Sequence, residues 1–376
     1  MATTNTTSKT TSKATKVDAQ NKNAQQATPN YCSLVEVPER VFAPEVGTGR
    51  AAMIRIIVKK WVNGTKLKYY FFNGSTDGSP ATWKGASNQI TAVKNAFKAW
   101  KNLGIGLEFE EVNDKNDAQI RIGFMRGDGS WSYVGRDIID VASSPNERTM
   151  NFGWDISNDP DTAIHEIGHT LGAPHEHQNP YAGIVWNEEA VYNALAQSPN
   201  FWSREKTYHN IIRKLPVNEV EGSTHDPDSV MHYPFGPGLI LSPIEFKNGI
   251  YPAGGLSLKD IEFVKKFYPA LQPKDYIELK SSRSEPLDIK PGEQKNFKFK
   301  PTRSKKYKIE TFGTMDTVMV LFEKNGTEEI YLAGDDDSGT DLNSKIYLRL
   351  IKGREYIIRL RLFYAEDEGS GSLMVY

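Results

Sequence analysis

Residues 165–176 read His-Glu-Ile-Gly-His-Thr-Leu-Gly-Ala-Pro-His-Glu, and three of these side chains have the spacing of ligands to one metal ion. Residues four apart on a helix stand on one face, so His165 and His169 can each aim a ring nitrogen at the same ion. Glu166 lies one position round, near enough to reach a water on that ion without becoming a ligand. Gly172 takes left-handed backbone at little cost, which stops the helix and lets the chain swing round with His175 as third ligand. Three protein ligands leave a fourth position open to water, the arrangement of a catalytic zinc rather than a closed structural one. The chemistry expected is peptide hydrolysis. Zn2+ lowers the pKa of its water to about 7, Glu166 accepts the proton, the hydroxide attacks a polarised carbonyl, and Glu166 returns the proton to the leaving amine. The plainer alternative is an amphipathic helix carrying surface histidines.

A second run points the same way. Ser229-Val-Met-His-Tyr233 has the form of a tight turn whose methionine makes an apolar floor under zinc-bound imidazoles. Taken alone, a methionine followed by aromatics reads as core packing.

The two runs together resemble the signatures of the astacin family of metzincin zinc peptidases. Asp128–Gly135, Thr149–Trp154, His175–Pro180 and the Leu256-Ser257-x-x-Asp260 segment are also similar to family sequence, so the resemblance covers about residues 53–270. It implies an α+β catalytic domain: a mixed twisted sheet, an active-site helix and an irregular lower half. It also implies that Tyr233 is an extra zinc-site residue, whose phenol stabilises the oxyanion once substrate is bound. Substrate would lie extended along the edge strand resembled by Ser130–Gly135, giving affinity with little sequence discrimination. Trp131 and Tyr133 read equally as strand side chains packed on a core and are assigned no catalysis. Animal members carry two disulfides, which a chain with one cysteine cannot form, so the resemblance is to bacterial or fungal members.

That cysteine, Cys32, follows a polar tail and precedes the catalytic region, where a pro-segment would sit. A thiolate is a strong zinc ligand, so Cys32 at the open position would displace the water and hold the enzyme latent. The alternative is a free thiol without a role.

Along the chain, residues 1–30 are a low-complexity polar tail, 31–52 a pro-like segment, 53–270 the peptidase domain and 275–376 an accessory domain. Ile54–Val58 and Leu67–Phe72 read as a hairpin across Asn63-Gly64, Gln89–Asn102 as an amphipathic helix, Ala118–Phe124 as a strand, and Asp161–Leu171 and Asn187–Ala196 as helices. After the Leu271–Lys274 linker, short alternating segments at Lys295–Lys300, Val318–Phe322, Ile346–Leu350 and Tyr356–Leu362 predict a small all-β sandwich. Thr314–Val318, Gly334–Ser338 and Lys352-Gly-x-x-Tyr356 resemble the bacterial pre-peptidase C-terminal domain. Asp335, Asp336 and Asp337 could bind Ca2+ as hard oxygen ligands or form a solvated acidic turn. The lysines of Lys295–Lys308 alternate with Phe297 and Phe299 as a strand's wet face and receive no ligand.

With 376 residues and 38% hydrophobic content the chain can bury two cores. Lys+Arg 46 against Asp+Glu 47 gives a net charge of -1 and no electrostatic case for nucleic acid or an anionic membrane. The expected partners are protein or peptide substrates, and the chain is expected to act as a monomer. The first thirty residues carry no hydrophobic signal region, which predicts a cytoplasmic protein or one leaving by a route without a cleaved signal. Two function classes follow: an active zinc endopeptidase, or a silent metzincin scaffold that binds a surface, toxin-like, through its C-terminal sandwich. Glu166 and Tyr233 favour the first.

Overall fold

The computed structural model describes residues 29–37, 60–61, 63–142, 144–216, 224–271, 276–336, 338–363 and 367–376. The N-terminal half is built on a five-stranded sheet in the order β2-β1-β3-β5-β4, with β1 at Lys66–Phe71, β2 at Glu108–Glu111, β3 at Ile120–Gly123, β4 at Trp131–Ser132 and β5 at Met150–Asn151. β1 pairs in parallel with both β2 and β3, and β3 with β5, while β4 runs antiparallel along the edge.

The expected hairpin differs. Residues 54–58 lie outside the described residues, and β1 is instead the first strand of a crossover through the Ser87–Lys101 helix to its parallel neighbour β2. Asn63-Gly64 is still a turn, with Gly64 N–H donating to Gly106 O.

The crossover helix forms because Gln89, Val93, Ala96, Phe97 and Trp100 bury one stripe, and Lys98 and Lys101 stand at its negative C-terminal end. That stripe packs on the active-site helix, Pro160–Thr170, where Trp100 Nε1 donates to Ile164 O at 3.0 Å. Asp159 caps the active-site helix by accepting from Thr162 N–H, and Pro160 suits the first turn because its missing donor would have no helical partner. Gly172 ends the helix at φ +98°, with Gly172 N–H bonded to His169 O and Ala173 N–H to Gly168 O. As expected, the glycine permits a left-handed exit.

Below the helix the chain is mostly irregular. A separate core of Trp186, Val191, Leu195, Trp202, Phe235 and Ile250 supports short helices and a two-stranded pair, β6 (Val185–Trp186) with β7 (Ile240–Ser242). A final helix, Leu258–Phe267, opens with a reciprocal cap between Ser257 and Asp260 and packs Val264 and Phe267 on the main core.

The C-terminal region is a sandwich. One sheet has the order β13-β12-β15-β10-β8, the other β14-β11-β16-β9. The first contains β8 (Tyr276–Leu279), β10 (Gln294–Phe299), β12 (Thr317–Asn325), β13 (Glu328–Asp335) and β15 (Glu355–Leu362); the second contains β9 (Ser284–Ile289), β11 (Lys305–Gly313), β14 (Lys345–Leu350) and β16 (Gly369–Val375). Phe297, Phe299, Met319, Leu321, Ile358 and Leu360 meet Ile309, Ile346, Leu373 and Val375 between the sheets. β15 departs from simple alternation, being buried on both faces with Arg359 only 3% exposed. Arg359 pairs with Glu329, lies over the Phe322 ring, and donates to Asn63 O of the N-terminal half at 3.4 Å, so this face meets protein rather than water. Among the described residues, no helix is long and apolar enough to cross a membrane.

Candidate metal centre and cleft

Four donor atoms converge at the end of the active-site helix. Cys32 Sγ lies 3.2 Å from His165 Nε2, 3.4 Å from His169 Nε2 and 3.3 Å from His175 Nε2, and the four atoms fall within 4.8 Å of one another. All four residues are buried. Only three of the chain's seven histidines take part; His177 Nε2 is turned to Asn210 O and His232 Nδ1 to Tyr233 O.

The rings are aimed from behind. His165 Nδ1 bonds Val230 O and His169 Nδ1 bonds Ala173 O, each at 2.7 Å, so Nδ1 carries the proton and Nε2 presents a lone pair. His175 is flanked by His177, with centroids 5.1 Å apart and planes at 23°. His169 Nε2 and His175 Nε2 approach to 3.2 Å.

A divalent cation explains this grouping. Bonds of about 2.0–2.1 Å to nitrogen and 2.3 Å to sulfur at tetrahedral angles separate the donors by about 3.4–3.6 Å, close to the spacing here. Burial pushes the Cys32 thiol and the Glu166 carboxyl well above their usual ranges, lowers His165 to about 4, and holds His169 and His175 well down. Such a pocket keeps its imidazoles neutral, and a bound cation would supply the positive charge that favours a thiolate and a carboxylate. The donor set fits zinc.

Glu166 is fully buried one residue beyond the first imidazole, and its carboxyl has the Cys32 thiol beside it but no partner at ordinary hydrogen-bond geometry. A carboxyl left so is costly unless something else in the site uses it. Tyr233 comes from the far side. Its hydroxyl donates to Cys32 O at 2.7 Å, lies 3.2 Å from Cys32 Sγ, and touches His175 Nε2.

Met231 lies beneath this group, 4% exposed, with its sulfur against the helix at Gly168. A Cβ at Gly168 would collide with that sulfur, so the glycine inside the motif allows the turn to close on the helix. The turn is held in place by Asp260, which accepts from Ser229 Oγ at 2.6 Å and Val230 N–H at 2.8 Å, while Glu176 N–H donates to Met231 O at 3.0 Å. Burial pushes the Glu176 carboxyl up to about 7, against hydrogen bonds from Asp226 N–H and Asn179 Nδ2.

Two asparagines that motif spacing did not single out line the cleft, together with Ser130 from the segment expected as its edge strand. Asn200 Oδ1 accepts from Tyr31 N–H and its Nδ2 donates to Pro29 O; Asn210 Oδ1 accepts from Leu34 N–H; Ser130 O accepts from Ser33 N–H. No local pattern marks these asparagines, because their partners are about 170 positions away. The edge strand itself is shorter than expected, at Trp131–Ser132. Tyr133 packs on the core, whereas Trp131 lies half-buried with Arg148 over its ring.

The acidic turn of the sandwich gathers no comparable group. Asp337 lies outside the described residues, and the Asp335 carboxylate accepts from Ser338 N–H, Ser338 Oγ and Lys345 N–H. Among the described residues, the Cys32 and histidine group is where His, Cys, Asp or Glu donors cluster for a metal, so the calcium expectation finds no support.

Comparison with known proteins bears on the family of the chain. The chain is 27% identical over 220 residues to zinc metalloproteinase nas-36 of Haemonchus contortus, covering 56% of this chain and 31% of the relative. It is 30% identical over 196 residues to protein SpAN of Strongylocentrotus purpuratus, covering 49% and 29%. The chain thus spans about a third of the length of these curated relatives. The solved structure of myroilysin is 30% identical and superposes with a TM-score of 0.50, covering 58% of this chain and 98% of that one. Residues 57–236 match the model for the astacin peptidase family, and with the myroilysin likeness they show that this chain belongs to that family.

Proposed function

We propose that this chain is a zinc metalloendopeptidase acting on protein or peptide substrates, and that it is held latent by Cys32. The convergence of three Nε2 atoms and one Sγ beside the buried Glu166 carboxylate carries this reading. His165, His169 and His175 would hold the ion, with Cys32 at the position that a water takes in the active form. Zinc when bound would supply a Lewis acid that polarises the scissile carbonyl and makes water acidic near neutral pH.

The chain's own groups do the rest. Glu166 takes the proton of the attacking water and returns it to the leaving nitrogen. A buried carboxyl raised by desolvation is a strong base once ionised, which suits both transfers. Tyr233 donates to the carbonyl oxygen as negative charge develops there; its bond to Cys32 O in the occupied cleft supports that direction. Ser130 O, Asn200 and Asn210 hold an extended backbone across the ion, as they do for residues 29–34. Residues 53–270 make the peptidase domain and 275–376 an accessory sandwich like the pre-peptidase C-terminal domain. The nearly balanced charge supports proteins rather than nucleic acid or an anionic membrane as partners, and the working unit proposed is a monomer.

The test is a casein digest by zinc-loaded full-length protein, with and without a chelator, after Cys32→Ser and after Cys32→Ser with Glu166→Gln. Turnover in the first variant, abolished by chelation or by the second change, is expected. Turnover that survives both treatments overturns the assignment. For latency, the Cys32 thiol should resist modification in the zinc-loaded wild type and react rapidly once the metal is chelated.

A further inference from the structure

Residues 29–34 cross the metal centre, and the cleft holds them in two different ways. Main-chain contacts at Pro29, Tyr31, Ser33 and Leu34 go to Asn200, Ser130 O and Asn210, and any extended peptide can make them. The Tyr31 side chain, next to the metal-facing residue, enters a closed pocket instead and is 2% exposed. Its ring stacks on Phe235 with centroids 5.7 Å apart at 25°, and lies 5.0 Å from Tyr233 and 6.3 Å from Trp202. Its hydroxyl donates to Pro234 O at 2.8 Å.

We propose that this aromatic pocket is the main specificity subsite of the cleft, selecting substrates with tyrosine or phenylalanine beside the residue that faces the metal. This rests on reading the cleft as a peptidase's. Once residues 29–36 leave, the face of Phe235, the tilted ring of Trp202 and the carbonyl of Pro234 lose the Tyr31 side chain together. A planar ring restores the face contacts, and a phenol also restores the hydrogen bond. An alanine leaves a void, a carboxylate or ammonium is desolvated against rings, and an ammonium also meets Lys206, whose Nζ already lies 5.0 Å from the Trp202 ring centroid. Selection therefore falls on one side chain, while the backbone is held without regard to sequence. The pro-like segment would occupy the cleft because it carries the side chain that the cleft reads.

The test uses full-length, zinc-loaded protein with Tyr31→Ala, Cys32→Ala and Glu166→Gln, which empties the pocket and stops turnover. Hexapeptides of sequence Pro-Asn-X-Ala-Ser-Leu, blocked at both ends, are titrated with X as Tyr, Phe, Leu, Ala, Glu or Lys, following tryptophan fluorescence. The tethered segment competes equally with all six, so the ratio of affinities is the readout. Tyr and Phe peptides should bind at least about tenfold tighter than Ala, Glu or Lys peptides. Trp202→Leu should erase that ratio while leaving the Ala peptide unchanged; should that variant fail to fold, the six-peptide series decides alone. Equal affinity for all six, or binding of none, overturns the proposal. Digestion of the same peptides by the chain with Glu166 intact reports separately: selective binding without cleavage keeps the pocket and removes the peptidase reading.

Discussion

The cluster at the end of the active-site helix and the acidic turn of the sandwich both offer residue types that can ligate cations, and they differ in where their donors spend their lone pairs. At Asp335 the carboxylate oxygens already accept from Ser338 and Lys345, so the charge is satisfied by the protein's own N–H and O–H groups. At His165 and His169 the Nδ1 protons are turned outward to Val230 O and Ala173 O, and the three Nε2 atoms and Cys32 Sγ converge on one point. A turn uses its donors locally; a metal centre withholds them. Residue type alone does not distinguish the two, since carboxylates, imidazoles and thiols are all competent ligands.

The comparison breaks most visibly with loss of a ligand. His169→Ala, in a Cys32→Ser background, should lower bound zinc below one per chain by atomic absorption and reduce turnover by about 10³-fold or more, because several kcal/mol of transition-state stabilisation leave with the ion. Glu166→Gln should cost about 10²–10⁴-fold in kcat with zinc content unchanged, a pairing that separates a base from a ligand. Normal rates in that variant would remove Glu166 from the chemistry. Cys32→Ser should raise the activity of the full-length chain by at least about tenfold, because the blocked form loses its fourth ligand.

Smaller effects test the scaffold. Gly168→Ala should lower stability by about 1 kcal/mol, read as a drop in Tm, because the added methyl meets the buried Met231 sulfur and forces that side chain to shift. At the other end of the comparison, Asp335→Asn should cost about 1 kcal/mol through weaker turn hydrogen bonds and leave zinc content untouched. Millimolar calcium should not shift the Tm of the unsubstituted chain. A rise there would return the acidic turn to the set of cation sites.

The legible part of this protein lay where cause and effect are close in sequence. Helical spacing put His165 and His169 on one face, Gly172 supplied the turn that delivers His175, and the apolar stripe of Gln89–Asn102 predicted the helix that packs behind them. Alternation likewise announced the sandwich strands. It failed where partners are distant: β1 was expected in an antiparallel hairpin and pairs in parallel instead, and β15 is buried on both faces because Arg359 reaches the Asn63 turn.

The sequence by itself pointed to the two helical imidazoles and the carboxylate beside them, because residues about one helical turn apart share a face whatever surrounds them, and to His175 through the glycine that ends the helix. Only tertiary structure decided what meets those groups. It brings Cys32 across 133 positions to His165, sets Tyr233 over the thiol, and seats Tyr31 among Trp202, Tyr233 and Phe235. Such meetings depend on how whole cores pack, and packing is a property of the folded volume that no local spacing encodes.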